Sequence, residues 1–528
     1  MDVTAHRPNR PRDEHHPRCG MSIVEELAAH NPTARGGVRE LTAPFTGALL
    51  AHIPQFTAED VESAFARARS AQVHWRRRSI LERRALISRM LELLQKERAQ
   101  LFDIMQLEGG KARIDACSDY GEAVLSGSWY ARHAERLMGS GDHPGAIPGL
   151  TTTTEILHPK GVVVVIAPWN APIGIGAGDS IPALLAGNAV ILKPDNQTAL
   201  STLFLRRIAA AAGLPAGVFQ VITGEPAEIG DALIDGADYV AFTGSTATGR
   251  KIAARAGERL TGCSLELGGK NPMIVLPDAD LDRAASALPR ASFANAGQVC
   301  LTAERLYVHT SILEEFIDLA GRKTHAMRLG ASMDFECDMG SLTTPSGLRR
   351  TSDYVEQAKV CGAQVHIGGR ARPDLGPLFY EPTIMSGVTS DADLHTAEVF
   401  GPIVSVYGFD TEDEVIDLAN STQYGLSASV WTRDIKQGAK LAARIDAGAV
   451  NINDAYTAAF ASHAAPSGGM KASGLGRRHG VAGLLRYTES QVVAVQRLAS
   501  PDSRLGLPRS VHGRLMGTVI DVLTRVRR

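Results

Sequence analysis

Apolar residues recur along this chain at two spacings, and the alternation between them marks out its elements. Thr57-Ala58-Glu59-Asp60 has the form of a helix N-cap followed by an acidic first turn, and Val61, Ala64, Phe65, Ala68 and Ala71 continue at helical spacing. Residues 81–106 repeat the helical pattern. TTTTEILHPKG (151–161) is β-branched and alternating, which suits an exposed strand or hairpin. Then come continuous apolar runs, GVVVVIAP (161–168) and AVILKP (189–194), with a helical stretch at 179–187 between them. A helix at about 198–212, the strand VFQVIT (218–223), another helix and the strand YVAFTG (239–244) follow. Strands that are apolar throughout and alternate with helices predict a parallel sheet covered on both faces. Such sheets bind ligands beyond the carboxyl ends of their strands, where PWN, KPDN, TGEP and TGST fall.

A second α/β series starts near 270 with NPMIVL and runs through RLYVH, IVSVYGF, SASVW and AVNIN. The fold class expected is therefore α/β, with two Rossmann-like domains. A Gly-rich segment, PSGGMKASGLGRRHG (466–480), closes the series. Residues 511–528 place Val511, Leu515, Val519 and Leu523 on one helical face, with Arg514, Arg525, Arg527 and Arg528 as its charges. A basic amphipathic helix of this kind packs on its own protein or a neighbouring subunit, or lies on an anionic membrane surface; packing is the reading preferred.

A length of 528 residues implies two or more domains, and 44% hydrophobic with 21% charged residues is ordinary for a soluble globular protein. The formal net charge of −2 gives no electrostatic reason to expect nucleic acid. Six cysteines, at 19, 117, 263, 300, 337 and 361, form neither a disulfide framework nor zinc-ligand spacing, so reduced thiols, a cytoplasmic location and no metal site are expected. The first twenty residues lack the apolar core of a secretory signal; 1–20 read as a disordered extension, with Met21 as a candidate start. No run of eighteen apolar residues occurs.

Most free cysteines are inert and buried. Cys300 differs through its setting, a loop with Asn295, Gly297 and Gln298 that should follow a helix over 281–294. A thiol that attacks a carbonyl needs an oxyanion stabiliser, an electron acceptor and a base to activate the deacylating water. GVVVVIAPWNAP, ILKP, FTGSTATG, LELGGKNP, NAGQVC, EVFGPI and GGMKASGLG stand in the order seen in the aldehyde dehydrogenase superfamily, and the likeness covers roughly residues 40–495. Within it, KPDNQT, LGGKNPMIV, ARPDLGPLFYEPT and GRRHG…LLRYTESQ resemble most the second type of succinate-semialdehyde dehydrogenase (NADP+).

That resemblance implies a cycle. The Cys300 thiolate attacks an aldehyde, Asn170 with the Cys300 N–H holds the thiohemiacetal oxygen, hydride leaves for the nicotinamide, and Glu266 activates the water that hydrolyses the thioester. It also implies a cofactor site. Lys193 would bind the adenine ribose, Gly244 and Ser245 would face the pyrophosphate, and Glu398 and Phe400 would hold the nicotinamide ribose and ring. Pro168, Trp169, Asn196, Gly224, Gly249 and Leu267 complete it. The domains implied are 21–145 with 162–265 for NAD(P), 266–486 for catalysis, 146–161 with 487–500 for oligomerisation into a dimer or tetramer, and 501–528 as a tail.

Three departures from the family pattern matter. Asn196 stands where the family commonly has a Glu that grips the ribose hydroxyls; its loss removes repulsion toward a 2′-phosphate, tilting the balance from NAD to NADP, although Asp195 restores a negative charge nearby. Pro226 also interrupts the Gly224…Gly230 pattern. Gly178 and Ala294 occupy positions where well-matched succinate-semialdehyde enzymes carry arginines for the substrate's distal carboxylate. Either other groups hold that carboxylate, Arg305 being one candidate though better read as structural, or the substrate is a neutral apolar or aromatic aldehyde. A coenzyme-A-acylating dehydrogenase and a non-catalytic binding protein are the remaining alternatives, and Glu266 argues against the first.

Overall fold

The computed structural model describes residues 18–29, 33–139, 141–145, 151–497 and 506–526. Thr57 caps the helix Ala58–Trp75 through a reciprocal capping box with Asp60, which buries Val61, Ala64, Phe65 and Ala68. The continuous helix expected over 81–106 is instead two, Ile80–Lys96 and Arg98–Gly109, broken at Glu97. Neither Gly nor Pro marks the break. Glu97 leaves helical geometry (φ −98°, ψ 13°) and its carboxylate accepts from Arg207 at 2.5 Å. The next helix, Arg113–Leu137, carries no regular apolar stripe in the sequence and was not expected.

The first sheet has six strands. Val162–Ile166 lies between Ala189–Lys193 and Tyr239–Thr243; Phe219–Val221 extends one side and Gly262–Glu266 the other, all parallel. The short Gly474–Leu475 adds an antiparallel edge beside Glu266. Val163, Val165 and Leu192 point into one apolar cluster, whereas Val162, Val164 and Ile191 point into another. Both faces are thus covered, which is why these strands read as unbroken apolar runs.

The helix expected at 179–187 begins seven residues earlier, at Pro172, and ends at Leu185. Gly174 explains both its course and its concealment. A Cβ there would lie 2.7 Å from the Asp119 carboxylate, so the glycine lets this helix approach Arg113–Leu137 closely while erasing the helical signal.

A second sheet of seven strands runs Gln364–Ile367, Thr383–Ser386, Ile403–Phe409, Ala303–His309, Asn271–Val275, Ser427–Trp431, Ala449–Ile452. Its pairings are parallel except for the first, antiparallel one. Thr151–Pro159 pairs along its whole length with Thr488–Gln496, and Gly141–Pro144 joins them in a small third sheet. Val492 and Val495 on that sheet are exposed.

At the N-terminus, the expected disordered stretch is corrected at its end. A helix spans Arg18–Ala29, passes through Met21, and buries Ile23, Val24, Leu27 and Ala28 in the main core; residues 1–17 lie outside the described residues. The C-terminal pattern does form a helix, Arg509–Val526. Among the described residues of its apolar face, Val511 and Leu515 are exposed and Val519 is half-buried; the Leu523 side chain lies outside the described residues. Among the described residues no helix is long and apolar enough to cross a membrane.

Candidate active site

Cys300 follows the helix Leu281–Phe293 through a turn in which Asn295, Ala296 and Gly297 all have positive φ (51°, 56° and 72°). Such geometry costs a non-glycine residue about 1–3 kcal/mol and persists only where the surroundings enforce it. Here they do. Asp115 accepts from the Asn295 N–H at 3.0 Å, Gln298 donates to the Asn295 carbonyl and accepts from the Thr343 N–H, and Asn271 donates to the carbonyls of Cys300 and Thr302. Glycine is obligatory at 297, where a Cβ would sit 2.1 Å from the Gly401 carbonyl oxygen. The cysteine loop is thereby clamped against the loop that carries Glu398 and Phe400.

Asn170, just beyond the strand Val162–Ile166, donates its side-chain amide to the Gln298 carbonyl at 2.9 Å, which brings it against the cysteine loop. Its own carbonyl is anchored by the buried Lys111, 2.8 Å away, which also pairs with Asp119. Glu266 ends the strand Gly262–Glu266. It is packed so closely that a Cβ at Gly468 would lie 3.0 Å from its Oε1, an oxygen with no protein hydrogen-bond partner. Burial raises its carboxyl above the ordinary carboxylate range, opposed by the guanidinium groups of Arg478 and Arg486. Both arginines are bound to buried Asp179, at 2.6 and 2.5 Å.

Burial pushes the Cys300 thiol up to about 12, reinforced by the Glu398 and Glu266 carboxylates. The free protein therefore holds a thiol rather than a thiolate near neutrality. Removing one of those charges lowers the pKa and enlarges the thiolate fraction, about tenfold per unit. Glu398→Gln should accordingly speed iodoacetamide labelling of the Cys300 peptide at pH 8.5 by about three- to tenfold, read by peptide mass spectrometry. An unchanged rate would contradict the charge coupling.

Glu398 accepts from the Gly269 N–H at 3.0 Å, and burial next to Glu304 lifts its carboxyl to about 7. Phe400 has φ 53° and stands edge-on to Trp169, ring centroids 5.5 Å apart. What holds this loop is Glu304, which accepts from the N–H groups of Val399 and Phe400 and pairs with fully buried Lys270 at 2.7 Å. Truncating one partner of a buried pair leaves the other charge uncompensated, so Glu304→Ala should lower unfolding stability by about 3–5 kcal/mol in urea titration. A loss under about 1 kcal/mol would mean that the pair is not structural.

One cavity of about 590 Å³ collects Cys300, Asn170, Glu266, Pro168, Trp169, Gly244, Ser245, Leu267, Glu398 and Phe400. The remaining residues singled out in the sequence lie elsewhere on the first sheet's carboxyl edge and its helices. Lys193 ends its strand buried, with one of its donors on the Pro194 carbonyl at 2.8 Å. Asn196 accepts from the Gly224 N–H and donates to Glu225, which ties two strand ends together. Gly249 lets helix Thr246–Glu258, capped by Ser245, pack on Leu267. Arg305 is not in the cavity: it is buried and donates to the carbonyls of Lys270, Leu418 and Ala419, a structural role.

Lys111, Glu304 and Arg39 stand in no motif singled out in the sequence, and Arg478 stands in GRRHG without a role assigned to it. Arg39 forms an ion pair with Glu225 and adds a cation to the surroundings of Lys193.

The family model for the aldehyde dehydrogenase family matches residues 33–493. A protein of Mycolicibacterium smegmatis named "Putative succinate-semialdehyde dehydrogenase (NADP(+))" is 47% identical over 488 residues, 92% of this chain and 94% of its own. The 3-sulfolactaldehyde dehydrogenase of Pseudomonas putida is 36% identical over 86% of this chain and 93% of its own. Among solved structures, betaine aldehyde dehydrogenase from Staphylococcus aureus in complex with NAD+ superimposes with a TM-score of 0.86 at 30% identity, covering 91% of this chain and 98% of the other.

Proposed function

The chain belongs to the aldehyde dehydrogenase family, and on that premise we propose that it oxidises an aldehyde with a distal anionic group, succinate semialdehyde being the named case, to its carboxylic acid. The observation that carries this reading is a cavity that joins Cys300, Asn170 and Glu266 to the carboxyl ends of a parallel sheet. The Cys300 thiol gives up its proton to water, Sγ bonds to the carbonyl carbon, and the oxygen takes up the electron pair as an alkoxide, whose collapse with loss of hydride leaves the thioester. The second N–H of the Asn170 amide and the Cys300 backbone N–H are the donors for that charge; one such donor is worth about 10²–10³ in rate. Glu266 then accepts a proton from water, which attacks the thioester and releases the acid together with the Cys300 thiol.

The residues at the sheet edge suit a dinucleotide. Lys193 is a buried ammonium with donors left for ribose hydroxyls, and Ser245, which lines the cavity, caps the N-terminus of the helix Thr246–Glu258. When bound, the oxidised dinucleotide supplies the acceptor for the hydride that the substrate carbon loses. Asn196 in place of a carboxylate, with Arg39 nearby, favours NADP over NAD. The exposed Val492 and Val495 on the strand paired with Thr151–Pro159 support a dimer or tetramer formed through that edge.

The anionic substrate class is supported by two relatives, whose names specify a carboxylate and a sulfonate. Steady-state assays with NADP+ should give succinate semialdehyde a kcat/KM at least about tenfold above butanal and benzaldehyde, the discrimination of one charged contact. Activity confined to the neutral aldehydes would overturn the substrate class and leave the reaction type standing.

A further inference from the structure

At the wall of the cavity that holds Cys300 lies a polar cluster that the proposed reaction does not use, and two of its three residues line the cavity. Glu122 from helix Arg113–Leu137, His463 from the segment after Thr457–Phe460, and His479 at the head of helix Gly480–Leu485 converge there. All three side chains are at least nine-tenths buried: 9% of Glu122, 9% of His463 and 3% of His479 remain exposed. Glu122 Oε1 lies 2.7 Å from His479 Nε2 and Glu122 Oε2 3.9 Å from His463 Nδ1, while the two rings meet edge to face with centroids 4.9 Å apart.

A glutamate–histidine hydrogen bond accounts for two of these residues. It does not account for His463, whose two ring nitrogens both lack a protein hydrogen-bond partner, nor for Nδ1 of His479. Buried polar atoms are nearly always satisfied, so this concentration of imidazole nitrogens points to a ligand. We propose that Glu122, His463 and His479 form a binding site for a divalent transition cation of the zinc class, at the wall of the Cys300 cavity.

One donor atom from each residue lies within 4.8 Å of the others. Tetrahedral zinc at about 2.0–2.1 Å from each ligand spaces its ligands by roughly 3.4 Å, so small side-chain rotations suffice, and the Glu122–His479 hydrogen bond is exchanged for two metal bonds. Two histidines and one glutamate form the ligand set of open zinc sites, which keep a fourth position for an oxygen donor. Glu122 and His463 line the cavity, which gives a cation and its fourth ligand access from it. A cation here places positive charge in a cavity whose chain has Gly178 and Ala294 in place of arginines; this last consequence rests on the anionic-aldehyde reading.

The test uses the full chain with Cys300→Ala, which removes the nucleophilic thiol as a competing ligand. Metal-free protein is dialysed against Zn2+, and bound metal is counted for this background and for the same chain with His463→Ala or Glu122→Gln. The proposal expects one more equivalent of zinc in the background than in either variant, or an affinity at least about tenfold higher. Co2+ substitution should give a visible spectrum of nitrogen and oxygen ligation that His463→Ala abolishes. Equal zinc content and affinity in background and His463→Ala, with far-ultraviolet circular dichroism unchanged, would overturn it. Because metal is counted without turnover, that failure is separate from any failure of the substrate assay.

Discussion

Cys300→Ala should reduce aldehyde-dependent NADP+ reduction by a factor on the order of 10⁴ or more in kcat/KM, because no other group in the cavity can carry the covalent thioester. Its fold and dinucleotide binding should persist. The loop around position 300 is held through backbone carbonyls and the side chains of Asn271, Gln298 and Asp115, none of which depends on the sulfur. NADPH fluorescence titration should thus give the wild-type Kd. Residual turnover above about 1% of wild type would mean that the sulfur is not the nucleophile.

Glu266→Gln should separate the two halves of the reaction. Acylation of Cys300 does not need the Glu266 carboxylate, but deacylation does, so the variant should show a burst of about one NADPH per active site followed by a steady rate lowered by roughly 10²–10⁴. The burst is followed by stopped-flow absorbance. Glutamine preserves the shape of a side chain packed against Gly468. A pH signature accompanies the effect. The base works deprotonated and burial raises its pKa, so the wild-type steady rate should climb with pH through a range above that of an ordinary carboxylate. In Glu266→Gln that limb should be missing. A variant whose steady rate and pH profile match wild type would assign the water-activating role to another group.

Much of the fold was legible because it rests on local signals. Val162–Ile166 and Ala189–Lys193 are buried on both faces, and burial on both faces writes itself as an uninterrupted apolar run. Helix Pro172–Leu185 was half hidden by the glycines that let it pack closely, and Arg113–Leu137 by the polar residues it sends toward the cavity. The break at Glu97 depends on a distant partner, Arg207, which no local pattern encodes. The C-terminal helix was readable from its periodicity, but periodicity does not say what covers its apolar face.

The same division runs through the site. Cys300, Asn170 and Glu266 each sit in a short motif at a strand end or turn, where sequence and geometry coincide. Lys111, Glu304 and Arg478 act through partners 8 to 299 positions away, and only the folded chain brings them together. The Glu122–His463–His479 cluster is the extreme case. Its members are dispersed along the chain, so ligand spacing in the sequence carried no metal signal.

Covalent catalysis by Cys300 is tested by mixing Glu266→Gln with NADP+ and succinate semialdehyde, quenching after the burst, and mapping the peptides by mass spectrometry. One succinyl group is expected in thioester linkage on the peptide that contains Cys300, absent without NADP+ and released by hydroxylamine. An unmodified Cys300 peptide after a full burst of NADPH, or an acyl group on a different residue, would contradict it.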